Sequence, residues 1–131
     1  MLQAYSSNLD VAANAAFPFN NVTVDKGCAE TLSAPASIQL NQRGVYLVEV
    51  DGFATPAAAG NVQLIVNGVA QPQAISSYST TEINFGFKTF VQVTENNCPC
   101  NCTSSPTVLQ IMNGDAALTD AHINIVVTKI R

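Results

Sequence analysis

The stretch TEINFGFKTFVQVTE, Thr81 to Glu95, alternates apolar and polar residues almost without interruption, and that pattern restricts the folds open to the chain. Ile83, Phe85, Phe87, Val91 and Val93 fall on one face, with Thr89 among them. Glu82, Asn84, Lys88, Gln92 and Thr94 fall on the other, which only Phe90 interrupts. A period of two belongs to a strand, whose successive side chains point to opposite sides; a helix would repeat every three to four residues. One apolar face on a strand this long has to be covered by a second layer.

Other segments repeat the pattern. GVYLVEVDGFAT places Tyr46, Val48 and Val50 on one side, and NVQLIVNGV places Val62, Leu64 and Val66 together before Asn67-Gly68, a tight-turn pair. PTVLQIMNGD ends in a second such pair, Asn113-Gly114, which also reads as a hairpin turn. HINIVVTKIR sets Ile123, Ile125 and Val127 on one face of a final strand. ASIQLNQRG and FPFNNVTV supply shorter strands. TPAAAGN (55–61) and QPQAISSYST (71–80) read as loops, and LDVAANAA (9–16) as either a helical turn or an extended strand. Eight to ten short strands with frequent turn signals predict an all-β antiparallel sandwich or jelly roll. The 131 residues suit one domain, with no internal repeat and no composition break.

Only 11% of the residues are charged, less than half the share of an average soluble protein. So little charge is easiest to reconcile with a surface partly buried against copies of the chain or a larger assembly. The net charge of −4 comes with no basic stripe, which argues against a nucleic-acid partner. No polybasic amphipathic segment or bilayer-length apolar run points to a membrane partner either. The first residues show no positively charged, apolar secretory leader, and the chain reads as made inside the cell. In that setting the sequons at Asn21 and Asn101 read as coincidence.

Chemistry is sparsely represented. His122 is the single histidine, it shares a face with Asn124, and no nucleophile motif accompanies it. The nine acids are scattered, and no pair is spaced for general acid and base work. No glycine-rich phosphate loop is present. An enzyme is therefore not expected. Cys98, Cys100 and Cys102 alternate within NNCPCNC, and Cys28 lies far upstream. Three readings stand: disulfides within or between subunits, exposed thiols, or a zinc site with Cys28 as fourth ligand. The Cys-x-Cys spacing is tighter than structural zinc sites prefer.

LNQRGVYLVEV (40–50), NVQLIVNGV (61–69) and the terminal HINIVVTKI resemble, in order, the central strand, the following hairpin and the last core strand of the tumour-necrosis-factor-like jelly roll, a fold shared with complement globular heads. More narrowly, TPAAAGN, VNGVAQP, NNCPCNC and AHINIVVTKIR are similar to segments of small virion surface proteins encoded by phages and Firmicutes. The resemblance implies a homotrimer in which residues 17–131 form the jelly roll and residues 1–16 an N-terminal arm or anchor. It makes Tyr46, Phe85, Phe87, Phe90 and His122 candidates for the trimer interface. It also implies a non-enzymatic capsid decoration or head-fibre role on the virion surface, with a major capsid or other virion protein as partner and no cofactor. The alternatives are a module that binds host-surface glycan through its loops, and a bacterial spore or cell-surface protein of the same fold.

Overall fold

The alternating segments form ten strands among the described residues and no helix. They are β1 (Leu2–Val11), β2 (Asn21–Asp25), β3 (Glu30–Ala34), β4 (Ser37–Leu40), β5 (Gly44–Pro56), β6 (Gly60–Val66), β7 (Val69–Tyr78), β8 (Asn84–Val93), β9 (Thr107–Asn113) and β10 (Leu118–Lys129). The structure, a computed structural model, describes residues 1–94 and 107–131. Two five-stranded sheets result, a first in the order β2-β1-β10-β5-β8 and a second in the order β3-β4-β9-β6-β7. Every pairing between strands is antiparallel.

The core fills the space between the sheets, and strand parity decides which residues enter it. Leu2 and Ala4, Ile123, Ile125 and Val127, Tyr46 and Val48, and Val91 and Val93 point inward from the first sheet. Ile38, Leu40, Leu109, Ile111, Val62 and Leu64 meet them from the second. Phe17, on the connection from β1 to β2, is fully buried and packs its ring 5.8 Å from that of Phe85.

Asn67-Gly68 closes the β6–β7 hairpin as its sequence indicates. Both residues have positive φ, 49° and 80°, as a two-residue turn of the favoured hand requires. Asn67 then ties this turn to β9: its Oδ1 accepts the Val108 N–H at 2.8 Å and its own N–H donates to Val108 O at 2.9 Å.

Four expectations change. Residues 1–16 are not an arm outside the domain: β1 lies between β2 and β10, with Leu2 and Ala4 fully buried. QPQAISSYST is mostly strand, because β7 runs to Tyr78; Gln73 and Ser77 are exposed on a sheet edge. Asn113-Gly114 is not a hairpin turn: β9 and β10 lie in different sheets, and the connection is a corner between them. Ile83 does not join the buried face of the alternating stretch: it precedes β8 and is exposed.

At that corner Asn113 is buried and fully bonded. Its Oδ1 accepts the Tyr78 hydroxyl at 2.6 Å, and its Nδ2 donates to Ala116 O at 2.7 Å and Ala12 O at 3.1 Å. Near the other end of β10, the buried Glu30 carboxylate accepts the Lys129 N–H at 2.8 Å and pairs with the Met1 amino group at 2.8 Å. Tyr46 closes a tight loop by donating its hydroxyl to Gln42 O at 2.7 Å.

Three outcomes follow from this packing. Asn113→Ala strands buried polar groups on three segments and lowers stability by about 3 kcal/mol; a urea midpoint equal to wild type would refute the hub. Removing residues 1–11 leaves β2 and β10 without their shared partner, so circular dichroism should show no cooperative unfolding; a retained cooperative transition would mean β1 is dispensable. Both buried phenols have a pKa raised above 10.0, Tyr46 through burial, opposed by its bond with Gln42 and aided by Glu30, and Tyr78 through burial, opposed by its bond to Ala116 and aided by Asp115. The unfolded chain therefore loses these protons first, and stability holds below about pH 10 and falls above it. Tyr46→Phe should flatten that alkaline limb of a thermal-melt series, and an unchanged slope would assign it elsewhere.

Candidate assembly face

The same parity that fills the core leaves a second set of side chains on the outside of the first sheet. The registers arrange them in rows across the strands. Tyr5 pairs with Asn124, Asn124 with Asp51, and Asp51 with Gly86. Gln3 pairs with Val126, Val126 with Glu49, and Glu49 with Lys88. Thr128, Leu47 and Phe90 form a third row, and His122, Phe53 and Asn84 a fourth. Asn124 Nδ2 donates to Asp51 Oδ1 at 3.3 Å and Gln3 Nε2 to Asn124 Oδ1 at 3.3 Å, so the middle of the face is fastened by amides. A shallow depression of about 570 Å³ lies there, lined by Glu49, Asp51, Lys88, Asn124 and Val126.

Aromatic rings border it on two sides. The Phe53 ring stacks on the His122 imidazole at 5.2 Å, and Tyr5 lies 6.2 Å from the same imidazole. Ser7 Oγ and His122 Nδ1 share a hydrogen bond of 3.0 Å. Phe90 projects from the edge strand β8 with 60% of its surface exposed, and Phe53 is 48% exposed. Exposed aromatics of this size on one sheet face are typical of a contact surface.

The five interface candidates separate cleanly. Tyr46 and Phe85 are corrected: both are buried, on the parity of Val48 and Val91, and they fill the monomer's own sandwich. Phe87 is half-buried and packs against the core. Phe90 and His122 alone stand on the outer face. Tyr5, Leu47, Phe53 and Val126, which join them there, do not stand out in the sequence. Reading the odd positions of GVYLVEVDGF as a face of their own would have found Leu47 and Phe53.

Cys28 lies between β2 and β3, half-buried and disulfide-bonded. Asn41 Nδ2 donates to its carbonyl at 3.1 Å. A disulfide sulfur is not a thiolate and offers zinc no such ligand. Cys98, Cys100 and Cys102 lie outside the described residues, and so does the choice of partner. Among the described residues, no group of three or more His, Cys, Asp or Glu is placed to hold a metal ion.

The outer face of the second sheet differs in kind. Its five strands carry no acidic or basic residue except Glu30, which is buried. Amides and hydroxyls are the more numerous there, with Ile75 exposed and Ile65, Val108 and Met112 half-buried among them.

At the level of sequence, no family model and no curated protein matches the chain. Its architecture is nevertheless shared by solved structures along nearly its whole length. The PRD1 vertex protein P5 is similar with a TM-score of 0.69 and 19% identity, over 99% of this chain and 96% of that one. The globular domain of zebrafish complement 1qA protein is similar with a TM-score of 0.73 and 7% identity, again over 99% and 96%. Murine APRIL is similar with a TM-score of 0.62 and 10% identity, over 98% and 97%. Two five-stranded antiparallel sheets in this order, matched end to end by these proteins, are the TNF-like jelly-roll fold.

Proposed function

We propose that the chain is a non-enzymatic structural protein of a phage virion. It acts as a homotrimeric decoration or fibre-type component on the particle surface, and it self-associates through the outer face of the first sheet. The observation that carries this reading is the pairing of exposed Phe90 and Phe53 with Leu47 and Val126 on that one face. Burying such a face contributes about 25 cal/mol per Å² of apolar area, which a half-exposed phenylalanine does not recover in the monomer. The fold relatives support the setting, since they include a virion vertex protein. Its expected partners are two further copies of itself and a capsid or other virion protein.

The His122 environment fits the contact side of the reading. A serine–histidine pair works as a nucleophile only when a third group orients the base. Here the groups around the imidazole are Ser7, Tyr5 and Phe53, and no carboxylate is bonded to it among the described residues. A stacked, half-buried histidine fits a contact residue better than a general base.

APRIL and a TNF protein among the fold relatives favour a second reading, an extracellular signalling ligand. Mass spectrometry of purified particles from the producing host separates the two, and absence of the chain from every particle preparation would remove the virion role. The assembly itself is tested by native mass spectrometry. The expected species has three times the 13.8 kDa chain mass. Phe90→Asp places a charge in the buried contact and should yield folded monomer, because Phe90 is exposed within one chain. A wild-type monomer, or a Phe90→Asp trimer, would overturn the assignment of this face.

A further inference from the structure

We infer that the second sheet carries a binding site for a neutral saccharide, in the groove where β6 and β9 meet the β9–β10 corner. The groove has a volume of about 300 Å³, with Asn14, Asn61, Gln63, Met112 and Asp115 among its lining residues. That is the lower end of the range for small-ligand pockets and suits one or two sugar rings.

Its walls are fixed by backbone bonds between three separate segments. Asn14 N–H donates to Gly114 O at 2.7 Å, Gly114 N–H to Asn61 O at 2.8 Å, and Asn113 N–H to Ala15 O at 2.8 Å. The buried Asn113 carboxamide locks the same corner from beneath. Gly114 keeps the wall thin, since a Cβ there would stand 2.8 Å from Asn61 Oδ1. A groove assembled this way is preorganised and spends little binding energy on ordering.

The lining selects the class of ligand. Asn14 and Asn61 each present a donor and an acceptor, Gln63 has one Nε2 hydrogen bond, to Gln71 O at 3.2 Å, and Asp115 adds a carboxylate on an exposed corner. Ile65 and Met112 are half-buried between them and give the C–H face of a sugar an apolar floor. Mixed donors and acceptors around an apolar floor match vicinal hydroxyls on a ring. Anions find no lysine or arginine in the lining and meet Asp115 instead. An extended peptide would need a free strand edge, whereas β6 and β9 are interior strands of their sheet. The site lies on the sheet opposite the proposed self-association face and would stay open in a trimer, but it does not depend on that assembly.

The test is a two-dimensional amide NMR titration of the whole chain with cellotriose, maltotriose, mannotriose and chitotriose, with sialyllactose as the anionic comparison. At least one neutral trisaccharide should bind with a Kd of about 1 mM. It should shift the amides of Asn14, Asn61, Gln63, Gly114 and Asp115. Asp115→Ala, on an exposed corner that folding does not need, should weaken binding about tenfold, and Asn61→Ala likewise. No shift with any neutral probe, shifts confined to other surfaces, equal binding of sialyllactose, or undiminished binding by Asp115→Ala would each overturn the proposal.

Discussion

β10 is bound on both sides, and its pleat sets what either face of the molecule can be. It pairs with β1 on one side and β5 on the other, and its odd positions Ile123, Ile125 and Val127 are fully buried. Its even positions His122, Asn124 and Val126 are therefore obliged to face outward, where Asn124 and Val126 join rows from β1, β5 and β8, and His122 a row from β5 and β8. A slip of one residue would carry His122 and Asn124 into the core and expose the three aliphatic residues, so the register is held by the full cost of the core. The outer face inherits that precision. Three irregularities adjust it at one end: the β1–β10 ladder shifts between Ser6 and Leu9 and again between Leu9 and Val11, and the β10–β5 ladder between Thr119 and His122. Asn8 and Asp120, at these shifts, have positive φ of 55° and 50°, a conformation short polar side chains tolerate. The bulges separate the part of each strand that lies near the Asn113 corner from the part that builds the rows.

Two buried polar residues hold the ends of this sandwich. Asn113 joins β9 to β7 and to both corners that flank the proposed groove, and Glu30 joins β3 to the ends of β1 and β10. Burying such groups stabilises little in itself, because water is given up for each bond made. Their effect is on uniqueness: an alternative packing that separates Asn113 from Tyr78, or Glu30 from the Lys129 amide, leaves a carboxamide or a carboxylate in the core without a partner. Among the described residues every buried side-chain nitrogen and oxygen has a hydrogen-bond partner.

The fold was legible where alternation is strong and the strand lies inside a sheet. NFGFKTFVQV, GVYLVEV, NVQLIV and HINIVV fall in β8, β5, β6 and β10, and Asn67-Gly68 turns as its residue types demand. It was illegible at the edges and corners. β7 and β3 lie at sheet edges and are exposed along much of their length, so their polar composition resembles that of loops. Asn113-Gly114 matches a hairpin signal locally, but the two flanking strands belong to different sheets, and the asparagine is used as a core hydrogen-bonding group. Tyr46 and Phe85 read as interface residues because large aromatics are common there; the parity of their own strands places them inside. His122 and Phe90 are visible as exceptions to the pattern, while Tyr5 and Phe53 need the register between strands, which no single segment contains.

The scarcity of charge takes on a different meaning once it is located. Spread evenly, 11% charged residues would leave any face open to cover by a copy of the chain. The distribution is uneven: Glu49, Asp51 and Lys88 stand on the outer face of the first sheet, and the outer face of the second has no charge on its strands. Taken alone, charge depletion would then select the second sheet for self-association. The side chains there argue otherwise. Gln39, Gln63, Gln73 and Gln110 are amides that water solvates well, and covering them costs desolvation unless each finds a matched partner. The first sheet instead offers exposed aromatic rings with a few charges around them, a composition in which burial of the rings stabilises and the charges set register between neighbours. Low charge with many amides describes a surface suited to neutral hydrogen-bonding ligands, and exposed aromatics describe one suited to other protein; this chain keeps the two on opposite sides of one sandwich.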